Sequence, residues 1–289
     1  MTARSFLFVP GDRPDMLARA GGRDADAVIA DLEDAVAPSG KVAARQIVAA
    51  WLDKLVEPSF EPWVRVNSTP ELLESDVASS FRPHLSGIMV PKVRSVEELV
   101  AVSDQLGRLE SASGRRLGAV RLLPIVETAA GLLAVNALAR APRVCQLMIG
   151  EFDLAAELGL DPAFEDALVP LRMQVVVASA AAGIAQPLGP VSADYRDLDS
   201  LADQTRRLAR LGFGSRPAIH PAQVEVFNSV LTPSADEVER ARRLVARYEA
   251  GLAEGRGAVT DEDGHMLDEA VVKVARRVLD AARRGDVSR

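Results

Sequence analysis

Eight short apolar runs, each followed by a polar turn and then a helix-like pattern, constrain this chain more than any other feature. The runs fall at 5–9, 27–31, 63–66, 87–90, 122–126, 145–149, 185–188 and 216–219. They are too short and too unbroken for amphipathic helices, and read as strands buried on both faces. Helical patterns at 14–20, 41–54, 70–79, 95–109, 129–139, 163–182 and 200–211 separate them. Repeated β-then-α units demand a parallel sheet, and eight of them close naturally into a (β/α)8 barrel. A doubly wound open sheet is the alternative. No Gly-x-Gly-x-x-Gly follows the first strand, and Gly11 alone is a turn residue, so a dinucleotide-binding reading is weak.

Residues 1–254 are expected to form this α/β barrel, and 255–289 a small C-terminal extension. The break is Gly255-Arg256-Gly257, after a charged helix at 234–253. A hairpin around Asp263-Gly264 and an amphipathic helix at 271–282 follow. Such a piece cannot bury a core of its own and should pack on the barrel or on a neighbouring subunit.

Composition removes several classes of function. The net charge is −7 with no basic block, which argues against nucleic acid. No run of eighteen apolar residues exists, so no membrane span is expected. One cysteine, Cys145, permits no disulfide within the chain, and a reducing, cytoplasmic setting is the simpler expectation. No charged and apolar leader precedes the strand that begins at Ser5.

The functional face of a barrel is the C-terminal end of its strands. There the chain gathers Asp12 and Arg13, then Asp31, Glu33 and Asp34, then Arg65 and Asn67, Lys92, Glu127, Glu151 with Asp153, and His220. Like charges crowded at one rim repel, and desolvation adds to the cost. A cation and an anionic substrate would resolve that conflict. Glu127 and Asp153 end consecutive strands, and two carboxylates plus waters and substrate suit Mg²⁺. Each group also has a structural reading. Glu127 or Asp153 could serve the start of a helix. One of the second-strand acids could pair with Lys41 or Arg45. Arg65 could pair with Asp31 or Glu33. His220 before Pro221 could shape the strand's exit. Cys145 has no neighbouring base and reads as inert.

Several of these segments together carry a resemblance. Arg4-Ser5-Phe6-Leu7-Phe8-Val9-Pro10-Gly11-Asp12-Arg13-Pro14, the stretch from Ala27 to Val36, Val64-Arg65-Val66-Asn67, Gly87-Ile88-Met89-Val90-Pro91-Lys92, Pro124-Ile125-Val126-Glu127-Thr128 and Ala218-Ile219-His220-Pro221 resemble, in order, the HpcH/HpaI aldolases and their citrate lyase β-subunit-like members. The resemblance implies a (β/α)8 barrel that makes or breaks a C–C bond in CoA esters of hydroxy acids with Mg²⁺, or Mn²⁺ in its place. It implies Glu127 and Asp153 as metal ligands and Arg65 as the clamp on a 2-keto acid carboxylate. Phe8 and Arg13 match positions that hold CoA or substrate, and Glu33 in the second-strand motif is expected to line the same site. Asp268 matches a C-terminal aspartate that reaches a neighbouring subunit's site as acid/base. A homotrimer, or a hexamer of two trimers, is the implied assembly.

Two departures stand at the expected rim. The family often has Gly-Ala-Glu-Asp where this chain has Gly150-Glu151-Phe152-Asp153, so the acid has moved one place. An acidic residue common at the seventh strand's end is replaced by Gly189. The expected activity is lysis of a malyl-, citramalyl- or citryl-CoA-like ester to an acyl-CoA and a 2-keto acid. The alternatives are a class II aldolase releasing pyruvate without CoA, and a β subunit acting on a carrier-bound thioester in a citrate lyase complex.

Overall fold

The computed structural model describes residues 3–287, so the expected extension 255–289 runs two residues beyond it. The chain divides into two compact units, one ending at Phe227 and the other beginning at Asn228. The first carries a seven-stranded parallel sheet: β1 (Ser5–Pro10), β2 (Ala27–Asp31), β3 (Glu61–Arg65), β4 (Gly87–Val90), β5 (Arg121–Val126), β6 (Met148–Ile149) and β7 (Arg216–Ala218), in the order β6-β5-β4-β3-β2-β1-β7. The first six strands pair in sequence order, and β7 pairs with β1 at the far edge. Leu188 makes single parallel bridges to Met148 at one edge and to Ser215 beside the other.

Three expected strands are shorter than their sequence suggests. Leu122 bridges Val144, but the ladder resumes at Ile125 with Met148, so the 144–148 side has one residue more than its partner. That bulge confines β6 to Met148–Ile149, although the Cys145 N–H still reaches the Leu122 carbonyl at 3.1 Å. The expected 185–188 strand is reduced to the bridges at Leu188. The eighth run leaves the ladder after Ala218, because the Ile219 N–H donates to the Gln223 side chain at 2.8 Å.

Helices α1 (Pro14–Ala20), α2 (Lys41–Asp53), α3 (Pro70–Ser80), α4 (Val96–Ser113), α5 (Ala129–Leu133), α6 (Val135–Leu138), α7 (Glu151–Leu158), α8 (Glu165–Ala182) and α9 (Leu198–Leu211) follow the strands. The expected single helix at 129–139 is split into α5 and α6, and α7 is the helix start that was one of the two readings of Asp153. Neighbouring helices keep the strand order, α2 against α3, α3 against α4, and α8 against α9. Val28, Ile29 and Ala30 are all inaccessible, so the sheet is covered on both faces, as its unbroken apolar runs require.

One face of the sheet follows a strict two-residue period. Phe6, Ala27, Ile29, Trp63, Met89, Leu123, Ile125, Met148 and Leu188 pack there as one cluster. Trp63 is its largest member and meets Phe6 edge-on at 6.1 Å between ring centroids. Its register partner is Gly87, where an added Cβ would lie 2.1 Å from the indole ring. Gly87→Ala is therefore expected to cost at least about 1–3 kcal/mol by overpacking. Chemical denaturation measures this, and an unchanged midpoint would show that the indole has room to move.

α10 (Pro221–Val230) crosses from the first unit into the second. The second unit holds α11 (Ala235–Ala253), the hairpin strands β8 (Val259–Thr260) and β9 (Met266–Leu267), and α12 (Glu269–Val287). Ser234 and Glu237 form a reciprocal capping box at the start of α11. Gly264 makes the hairpin's turn at φ 81°. Tyr248, Leu267 and Val272 form a small core between α11, β9 and α12. Among the described residues, no helix is long and apolar enough to cross a membrane.

Candidate active site

The site is the continuation of the packed face by one more step along each strand. Phe8 follows Phe6, Asp31 follows Ile29, Arg65 follows Trp63, Glu127 follows Ile125, and Gly150 follows Met148. A period of two therefore carries these positions to the same face at the strands' C-terminal ends. With Asp153 they line one cavity of about 230 Å³.

Arg65 is the best-anchored group there. Its Nε and Nη2 donate to the two oxygens of Asp31 at 2.7 and 2.6 Å, a two-point pair. Nη1 lies 3.0 Å from a Glu33 oxygen, and the guanidinium stands 5.0 Å from the centre of the Phe8 ring. Burial works against its charge, yet the hydrogen-bonded Asp31 and nearby Glu33 and Asp34 hold its pKa above the ordinary arginine value. Asp31 also accepts the backbone N–H groups of Glu33 and Ala35, which fixes the loop after β2. Both structural partners foreseen for Arg65 are thus present. The guanidinium's Nε–Nη2 edge is spent on Asp31 and Nη1 faces Glu33, so a ligand carboxylate would have to share the guanidinium with these acids.

Lys92 sits at φ 53°, a left-handed conformation rare for a side chain with a Cβ and typical of strained functional turns. That turn aims its backbone N–H at Glu127, which accepts it at 2.6 Å. Its ammonium lies 2.8 Å from Glu33 and 3.4 Å from Asp34. Glu33 is 4% exposed, and neither of its oxygens finds hydrogen-bond alignment. Burial raises its pKa, with Arg65 and Lys92 pulling the other way. Lys41 and Arg45, expected as partners for these acids, are engaged elsewhere. Lys41 donates to the Leu32 and Glu33 carbonyls, and Arg45 pairs with Asp76.

Glu127 carries the unresolved charge. It is 4% exposed and makes no ion pair among the described residues. Burial pushes its pKa up to about 8, the Lys92 N–H pulls the other way, and Glu33 and Asp153 add repulsion. It does not cap the following helix, because Thr128 does, accepting the Gly131 N–H at 2.9 Å. Gly150 lets the chain pass against Glu127, since a Cβ there would lie 2.5 Å from the Glu127 Cβ and 2.6 Å from Oε2.

Asp153 stands in the first turn of α7, the helical reading foreseen for it, and its side chain is exposed to the cavity's mouth. Glu151, two residues earlier, points elsewhere: Arg172 holds it at 2.5 and 2.8 Å, and also holds Glu165. The acid that has moved one place along this motif is therefore consumed by a buried ion pair. An oxygen-rich pair, one buried and one open, fits a hard divalent cation, and such an ion would offset the burial that raises Glu127 and the added repulsion from Glu33 and Asp153.

The structure brings Phe8, Asp31, Glu33, Arg65, Glu127 and Asp153 together. Arg13 is not part of this cluster; it precedes α1, largely exposed, with Nε 3.4 Å from Asp15. Asp268, in the second unit, accepts the Val271 N–H at the start of α12. His220 has the structural role expected of it, its Nδ1 accepting the Ala222 N–H and its ring stacked on Tyr195 at 4.6 Å. Two contributors were missed in sequence: the Lys92 main-chain N–H and Gly150. Only the Pro91-Lys92 and Ile149-Gly150 strand ends hinted at them.

The model of the family described as HpcH/HpaI aldolase/citrate lyase matches residues 4–221. An L-malyl-CoA/beta-methylmalyl-CoA lyase from Cereibacter sphaeroides is 32% identical, over 96% of this chain and 93% of the relative. A (3S)-malyl-CoA thioesterase from the same species is also 32% identical, with the same shares covered. The crystal structure of CitE from Mycobacterium tuberculosis in complex with magnesium, acetoacetate and coenzyme A is similar at a TM-score of 0.77. It is 29% identical, with 97% of this chain and 98% of that one covered.

Proposed function

The chain belongs to the HpcH/HpaI aldolase/citrate lyase family, and on that footing we propose that it is a Mg²⁺-dependent carbon–carbon lyase. Its substrate is a short 3-hydroxyacyl-CoA dicarboxylate of the malyl, citramalyl or citryl type, and its products are an acyl-CoA and a 2-keto acid. The observation that carries this reading is Glu127: a buried carboxylate without a cationic partner, beside Asp153, in a cavity that also holds a charged arginine. The CitE relative whose crystal structure contains magnesium and coenzyme A supports the same assignment.

In this reading Glu127 and Asp153 hold the ion, which polarises the oxygen of the carbonyl that forms on cleavage. Arg65, held rigid by Asp31 and backed by Phe8, receives the carboxylate of the keto-acid half. The 3-hydroxyl loses its proton, the C2–C3 bond breaks, and the electron pair passes to the carbon beside the thioester. That carbon then takes a proton, so the site needs an acid/base group. We assign it to Asp268 of a neighbouring subunit, brought in by the 255–289 segment of a homotrimer or a hexamer of trimers. Leu188 is read as the reduced seventh strand of a closed (β/α)8 barrel, with Arg13 on the CoA side and the enzyme cytoplasmic.

The direct test offers malyl-CoA, citramalyl-CoA and citryl-CoA with Mg²⁺ and follows both keto acid and free thiol. Cleavage gives keto acid without thiol. The thioesterase relative makes hydrolysis the second reading, and thiol release without keto acid would replace the lyase assignment. The trans role of Asp268 has its own test. Asp268→Asn and Glu127→Ala are each expected to be nearly inactive, yet hybrids reassembled from both should regain part of the activity. Hybrids no better than their parents would confine Asp268 to its own subunit.

A further inference from the structure

A second cavity, of about 160 Å³, lies behind the start of α7 and is bounded by α8, α9 and the loop after Leu188. It shares Glu151, Phe152 and Val191 with the active cavity, but Arg172, Arg207 and Arg216 line it alone. Its ionisable lining is Glu151 and Glu165 against Arg172, Arg207 and Arg216, two negative charges against three positive. Arg172 is saturated by Glu151 and Glu165, so the surplus rests on the other two arginines.

Arg216 is the unusual one. It is 2% exposed and forms no ion pair among the described residues. Nη1 donates to the Thr205 hydroxyl at 3.1 Å and Nη2 to the Pro190 carbonyl at 3.0 Å, both neutral acceptors. Its Nε finds no hydrogen-bond partner among the described residues. The guanidinium stands 5.0 Å from the centre of the Phe227 ring. A buried charge left to neutral acceptors and one aromatic face is costly, and burial lowers its pKa to about 10. It still carries its full charge at neutral pH. Arg207, on the same cavity, is exposed, so the excess charge reaches from the buried wall to solvent.

We propose that this cavity is a binding site for a phosphate-class oxyanion, with Arg216 supplying the buried charge and Arg207 the exposed one. Arginine suits the role because its planar donors match tetrahedral oxyanions. The site is independent of Glu127 and Asp153, and its existence does not rest on the lyase reading.

The test is calorimetric titration of the metal-free protein with inorganic phosphate. One site with a Kd on the order of a millimolar is expected. Arg207→Ala, a surface change, should weaken binding about fivefold, and Arg216→Gln should abolish it. Circular dichroism checks that both variants fold, and if Arg216→Gln does not, Arg207→Ala decides. Wild-type affinity in a folded Arg207→Ala overturns the proposal, as does an absence of binding at tens of millimolar. Loss in Arg65→Lys with retention in Arg207→Ala would put the ion in the active cavity and equally overturn it. The source follows from repeating the titration with CoA and dephospho-CoA. Displacement by CoA alone identifies the phosphate as the carrier's own. Undiminished phosphate binding in the CoA-saturated protein identifies a free oxyanion.

Discussion

Glu127→Gln is expected to abolish Mg²⁺ binding and turnover while making the metal-free protein more stable. The sign follows from the proton balance. Glu127 holds its proton to about pH 8 in the folded chain, against a usual value of 4.5. Between those pH values the unfolded chain has released a proton that the folded chain keeps, so rising pH favours unfolding across that window. Above about 8 the penalty is complete, and it is on the order of several kcal/mol. Glutamine removes it. The variant's melting temperature should therefore match wild type near pH 5 and exceed it increasingly towards pH 8. Added Mg²⁺ should raise the wild-type value and leave the variant unchanged. Mg²⁺ affinity in wild type should climb over the same window, because the ion must displace the Glu127 proton. Differential scanning fluorimetry across pH, with and without the metal, reads all three. A variant no more stable than wild type at pH 8 would mean that Glu127 is compensated by a route other than a bound cation.

Arg65 is expected to show the second large effect, and its two variants separate structure from binding. Arg65→Ala leaves Asp31 and Glu33 buried without their shared cation, at a cost of about 3–5 kcal/mol. Arg65→Lys keeps the charge and forfeits the two-point bond that fixes the guanidinium. The lysine variant should stay folded and bind Mg²⁺ much as wild type does. Its affinity for glyoxylate or pyruvate in the presence of Mg²⁺ should fall at least about tenfold. Titration calorimetry with keto acid measures this. Unaltered keto-acid affinity would leave Arg65 only the structural role that its pairing with Asp31 already gives it.

How much of this was legible in the chain depends on the range of the interaction concerned. The parallel α/β order was legible because apolar runs and helical periods are local, and part of the rim was legible where a run stops at a carboxylate, as at Asp31 and Glu127. The same period of two that packs Phe6 and Ile29 delivers Phe8 and Asp31 one step later, so the candidate site was already implicit in strand phase. Strand lengths were not legible. The extra residue opposite Leu122–Ile125 and the diversion of the Ile219 N–H to Gln223 depend on partners far away or on side-chain geometry.

The pairing of charges was the larger gap. Nothing local says that Lys41 prefers two carbonyls to a carboxylate, or that Arg172, in a distant helix, claims Glu151 and leaves Asp153 free. Residue order alone carries the family, the strand phase and the set of acids and arginines brought to one rim. Which of them neutralise each other, and which, like Glu127 and Arg216, stay buried without a counter-ion among the described residues, emerges from the fold. Neutralisation is a matter of a few ångströms across the fold, and residue order along the chain does not encode that distance.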